Sequence, residues 1–295
     1  MPLRIVHPRH VIESKAERGA RAKLSYHGGP VLANAEVFLI FWGHAWTSDP
    51  LQEQIVHFFD FVLQSSLLDQ LSEYSVPGIS IGRGKFNGAL IVDAKMPSSV
   101  DDSDIQNFLR SQINEGFVPG FGANSLYFVF TPSGVKVTLQ GDASCQQFCG
   151  YHNVTNEGIV YAVDPYDDCA GCQFVPGDIL GSTTVPASHE LCEAITDPTF
   201  EGWFDDSTGQ EIGDICAGQV KVINASGVAS AGASPSFASS VSPSVVTVDG
   251  TQSVNLTVTL TPMAGGPPMP PPGPPPAGQN WAVQKEWSNS KGSCL

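Results

Sequence analysis

The sequence predicts an α/β (α+β) fold built on a mixed sheet, with one active-site helix carrying the chemistry. Apolar strand-like runs alternate with segments of helical period between residues 36 and 196. Composition then changes sharply after Val222, where small and polar residues replace the apolar pattern. The third observation is the run His189-Glu190-Leu191-Cys192-Glu193, which sets three metal-chemistry groups on one helical stretch.

Taken in order, residues 1–23 are basic, lack an apolar centre and read as a mobile arm rather than a signal peptide. Residues 24–224 form the main domain. Within it, residues 36–42 read as a strongly apolar strand. Residues 51–74 read as one helix burying Ile55, Phe58, Phe59, Val62 and Leu63. Residues 89–93, 126–130 and 158–163 read as further strands, and 101–115 as a helix opened by acidic residues. The helix carrying His189 lies within 177–196, and Pro198 ends it. Residues 225–278 read as a Ser/Pro/Gly-rich insertion, with a hairpin across 245–260 and an exposed polyproline-like spacer across 267–276. Residues 279–295 bring a strand back to the main domain, with residues 281–287 joining its sheet.

His189 and Glu193 are four residues apart, so they share a helical face and converge on one point. Glu190 is rotated from that pair, where it can act on a metal-bound water. The pattern is that of the zinc-peptidase helix H-E-x-x-H, with the second histidine replaced by Glu193. Glu211-Ile212-Gly213-Asp214 follows at the interval where such enzymes supply a third ligand from a second helix. The expected site is therefore His189, Glu193 and Glu211 as ligands, Asp214 bonded to His189, and Glu190 as general base. A zincin-like metallopeptidase fold with an active-site helix follows. Zinc is the expected ion, with Mn²⁺, Fe²⁺ and Ca²⁺ as alternatives, because two carboxylates bind zinc less selectively than two imidazoles. No histidine or tyrosine follows His189, so an oxyanion donor must come from Tyr151, His152, Tyr161 or Tyr166. The plain alternative for His152 is a structural histidine beside a disulfide. Asp205-Asp206-Ser207-Thr208-Gly209 reads as a turn before it reads as a calcium loop.

Several stretches resemble the plant phosphate-induced protein 1 or EXORDIUM family. They are Tyr26-His27-Gly28-Gly29-Pro30-Val31-Leu32, Val37 to Gly43, Phe148-Cys149-Gly150-Tyr151-His152, Cys169-Ala170-Gly171-Cys172, Ser188 to Pro198 and Glu211 to Cys216. These matches keep the family's order over residues 24–220, and residues 281–287 are also similar. The resemblance implies a secreted protein linked to growth and the cell wall, with the same histidine-glutamate helix. The insertion after residue 224 and the missing leader depart from that pattern and imply a microbial or fungal relative.

The chain of 295 residues carries 14 basic and 29 acidic side chains, a net charge of −15. Such an acidic surface argues against nucleic acid and anionic membranes as partners. A peptide or small-molecule substrate fits better; oligomeric state is not encoded in any pattern. Seven cysteines include two close pairs, Cys145/Cys149 and Cys169/Cys172. A zinc finger is one reading, and the acidic loops and the resemblance favour at least two disulfides and an extracellular location. A Cys192–Cys216 bridge would leave Cys294 as the odd one. Asn153, Asn224 and Asn255 open glycosylation sequons. The leading expectation is a zinc-dependent hydrolase of peptide bonds. The alternatives are a secreted binding or structural protein with a residual metal site, and a metalloenzyme acting on a small molecule.

Overall fold

The computed structural model describes residues 5–7, 22–224 and 278–295. Most of the N-terminal arm and the insertion, including the hairpin and the proline run, lie outside the described residues. The protein is a mixed α/β fold. Its central sheet runs Ile5–Val6, Gly150–Val154, Val160–Asp164, Ser125–Phe130, Glu36–Trp42, Lys85–Val92. The last four strands are parallel; Gly150–Val154 and Ile5–Val6 each run antiparallel to their neighbour.

Parallel strands are covered on both faces, so they read as nearly unbroken apolar runs. Glu36–Trp42 shows why alternation still matters. Val37, Leu39 and Phe41 pack towards the helix Leu51–Val62, and Phe38 and Ile40 join Ile105 and Leu109 of the helix Asp102–Asn114 on the other side. Asp101 caps that second helix in a reciprocal capping box with Asp104, as its acidic start predicts.

Three expectations need correcting. The helix across residues 51–74 is not continuous. It stops at Val62, and Ser65 turns its hydroxyl back to the Val62 carbonyl while accepting from the Leu67 amide. That local bonding competes with the helical ladder and restarts the chain as Ser66–Gln70 and a 3₁₀ turn, Leu71–Tyr74. The returning segment does form a strand, Asn280–Gln284, but it pairs antiparallel with Val220–Asn224 in a separate ribbon and not with the central sheet. Trp281 holds it there, fully buried with its ring 5.6 Å from Phe58 and 6.3 Å from Phe61.

The cysteines provide the third correction. Cys145–Cys169, Cys149–Cys172 and Cys216–Cys294 are disulfides, while Cys192 is free and buried. The first two leave no room for a four-cysteine zinc finger, and Cys294 takes the partner assigned to Cys192. Three such bridges fit an oxidising environment. Among the described residues, no helix is long and apolar enough to cross a membrane.

The motif helix, Ile179–Thr196, lies between the sheet and the ribbon. Asp178 caps its start by accepting from the Gly181 amide at 3.0 Å. Every residue from Gly181 to Thr196 is buried, so the helix shows no solvent face and tolerates Pro186 in its interior. Thr184 donates to the Ala282 carbonyl at 2.7 Å, and Ser188 accepts from the Gln284 amide at 2.9 Å. The ribbon is thereby stitched along the helix that carries the motif.

Candidate metal centre

Strand Gly150–Val154, which the sequence reading overlooked, supplies one side of the site. Its alternation sends neighbouring residues to opposite faces of the sheet. Tyr151 faces away from the motif helix and donates to Asp102 Oδ1 at 2.7 Å; Tyr161 does the same at 2.7 Å. Tyr166 donates to Asp49 at 3.0 Å. All three tyrosines proposed as oxyanion donors are thus engaged elsewhere. His152 alone enters the centre.

There the imidazole meets carboxylates on several sides. Its Nδ1 lies 2.9 Å from Glu190 Oε2 and 3.6 Å from Glu193 Oε2, and its Nε2 lies 3.8 Å from Glu211 Oε1. One helical turn brings His189 Nε2 to 3.0 Å from the other Glu193 oxygen, as the i,i+4 spacing requires. Glu193 therefore touches both imidazoles, one through each oxygen.

The opposite wall is a loop, not a second helix. Glu211 precedes a 3₁₀ turn at Asp214–Cys216. The Glu211 amide donates to Asp214 Oδ2 at 3.2 Å, and the Asp214 amide donates to Glu193 Oε1 at 3.1 Å. Between them, Gly213 lies flat against His189: a Cβ there would fall 2.7 Å from the ring. The Cys216–Cys294 disulfide fixes the far end of this loop. His189 Nδ1, expected to meet Asp214, instead meets Gln284 Nε2 at 2.7 Å, and the same nitrogen donates to the Gly213 carbonyl at 2.9 Å. Gln284 comes from the returning strand and fixes which imidazole nitrogen faces Glu193.

All these groups are out of solvent. His152 is 2 % exposed, and His189, Glu190, Glu193 and Glu211 are 0 % exposed. Burial opposes charge on His152, but Glu190 and Glu193 hold its proton affinity above the ordinary imidazole value. His189 follows the same pattern more strongly, with Glu193 its main attractor. Burial raises Glu190 above the usual carboxylate range despite both histidines. Burial and the neighbouring Glu193 push Asp214 up to about 7. The site sets several carboxyls around two imidazoles whose proton affinity they raise.

Whether a cation fits can be judged from the side-chain atoms left over. Among the described residues, His152 Nε2, His189 Nε2 and Glu190 Oε1 are buried without a hydrogen-bond partner. His189 Nε2 is close to Glu193 but lacks the alignment of a hydrogen bond. An unpaired buried polar atom costs about 1–3 kcal/mol, and an uncompensated buried charge costs several. Within this centre, two groups bring ligand-type atoms within 4.8 Å of one another: His152, Glu190 and Glu193, and His189, Glu193 and Asp214. They share Glu193. The donor set fits a divalent ion.

Two further features lay beyond sequence reasoning. Asp164, at the end of its strand, is buried beneath Gly150, and a Cβ on that glycine would sit 2.8 Å from Asp164 Oδ1 and 3.5 Å from Glu190 Cγ. Burial and the nearby Glu190 charge raise this carboxyl well above its usual range. After the motif helix ends at Asp197, the Asp197 carboxylate accepts from the Gly202 amide at 2.6 Å. This turn places the Phe200 ring 5.0 Å from the His152 ring. Phe200 takes φ 63, a left-handed conformation that costs a bulky residue about 1–2 kcal/mol. As its sequence suggests, Asp205 closes a turn by accepting from the Ser207 and Thr208 amides.

No family model, curated protein or solved structure matches this chain, so its site stands on its own geometry.

Proposed function

We propose that this protein is a metal-dependent hydrolase with a zincin-like arrangement, acting on peptide bonds. One observation carries the reading: two imidazole nitrogens and a glutamate oxygen are buried without a hydrogen-bond partner and surrounded by further carboxylates. His152, His189, Glu193 and Glu211 would hold the ion. The histidine missing at position 193 of the helix motif is supplied from the sheet instead. Two imidazoles favour a transition metal such as zinc over Ca²⁺, with Mn²⁺ and Fe²⁺ as alternatives.

A bound divalent ion would polarise the scissile carbonyl and acidify a water. The chain's own residues do the rest. Glu190 is tethered to His152 through Oε2, which orients the imidazole and leaves Oε1 to take the proton of the attacking water. The same carboxyl then returns that proton to the leaving amine. Gln284 and Gly213 keep His189 in register. The resemblance to the EXORDIUM family, together with three disulfides, supports a secreted protein.

A second reading has its own observation. The complete burial of the centre suits a structural ion in a secreted, non-catalytic protein. The test is elemental analysis of protein purified without added metal, paired with a peptide-library assay. The hydrolase reading expects cleavage by the wild type. In Glu190→Gln it expects retained metal and activity lower by about 10²–10⁴-fold. Metal present in both proteins with no cleavage by either selects the structural reading.

A further inference from the structure

We propose that Phe200 controls access to the buried centre. This rests on the reading above that the centre holds a divalent ion.

The centre is shut on every side that its own elements provide. Sheet, motif helix and the Glu211 loop reduce its glutamates and His189 to 0 % exposure. Phe200 differs from this wall in three ways. It is only half-buried, whereas the His152 it touches is 2 % exposed. Its ring packs against the His152 imidazole at 5.0 Å, tilted 35°. Its backbone is held at φ 63, where a phenylalanine is strained and a glycine is not.

Such strain persists only where the surroundings impose it. Here the flanking turn is pinned from both sides. Gly202 donates to Asp197 at 2.6 Å, while its carbonyl accepts from the His27 amide at 2.8 Å. The Glu201 carbonyl accepts from the Gly29 amide at 2.6 Å. Gly29 has no room for a side chain, since a Cβ would lie 2.5 Å from Glu201 backbone atoms. The frame is therefore fixed on both sides of one strained aromatic residue. Rotation of the Phe200 side chain about its own χ angles would move the ring off His152 and leave this frame in place.

The test follows Co²⁺ uptake by optical absorption in the metal-stripped full-length protein, and its extraction by a chelator. Wild type, Phe200→Gly and Phe200→Leu are compared. Glycine removes the ring and accepts the backbone conformation, so uptake and extraction should both accelerate at least tenfold, with equilibrium affinity within about threefold. Leucine keeps bulk over the imidazole and should stay near wild-type rates. A binding wild type whose rates match those of Phe200→Gly overturns the access role and leaves the metal reading intact. A wild type that binds no Co²⁺ overturns both. Should Phe200→Gly fold poorly, Phe200→Ala carries the same expectation for the rates.

Discussion

The two faces of strand Gly150–Val154 bury carboxylates in opposite ways. On one face, Asp102 accepts from Tyr151, Tyr161, Asn153 and Gln106, at 2.7 to 3.2 Å. On the other, His152 sits among Glu190, Glu193 and Glu211, and its Nε2 has no hydrogen-bond partner. Adjacent residues, Tyr151 and His152, point into the two environments. A buried carboxylate whose oxygens are saturated by neutral donors needs nothing more, and its role is to join strand and helix. On the His152 face, donor-type nitrogens remain without a hydrogen bond, which is the arrangement the proposed metal reading uses. Saturation is what distinguishes the Asp102 network from the proposed metal centre.

That contrast can be broken by experiment. The largest expected effect on stability is at the loop holding Glu211. Replacing Cys216 and Cys294 by serine should cost about 2–5 kcal/mol in denaturant unfolding. It should also weaken metal binding, because the bridge ends the turn that carries Asp214. Unchanged metal affinity would show that the loop holds its shape without the bridge. Next comes Gln284→Leu. Loss of the group that orients His189 should weaken metal affinity about 10–100-fold, measured by competition with a chelator. Retained affinity would mean that Gly213 alone sets the ring. The smallest effect belongs to the saturated face: Tyr161→Phe should cost about 1 kcal/mol and leave metal affinity unchanged. A loss of metal there would erase the distinction between the faces.

Much of the helical side of the centre was legible in the chain. The i,i+4 spacing fixes His189 and Glu193 on one face in any α-helix, and Glu211, later in the sequence, comes to 3.8 Å from His152. Three strands of the parallel sheet were equally plain as apolar runs, while Lys85–Val92 shows only its second half in the pattern. Residues whose roles depend on pairing across long separations were not legible. Gly150–Val154 is short and half polar, and only its place beside Val160–Asp164 makes it a strand and aims His152 at the helix. His152 was read as a donor or a structural residue, because nothing local marks its distance from Glu190. Gln284 reaches His189 across 95 positions, through a ribbon whose pairing partner the pattern did not reveal. The Cys216–Cys294 bridge was missed for the same reason. Alternation gave the strand at residues 280–284 but not its neighbour.

The central claim is that His152 and the motif helix complete one metal centre. It is tested most directly by counting metal in the purified wild type, His152→Ala and Asp102→Asn. Elemental analysis alongside native mass spectrometry gives ions per folded chain. The account predicts one divalent transition-metal ion in the wild type and in Asp102→Asn, and its loss from folded His152→Ala. A wild type free of metal after incubation with zinc, or a folded His152→Ala that keeps its ion with unchanged affinity, would contradict it.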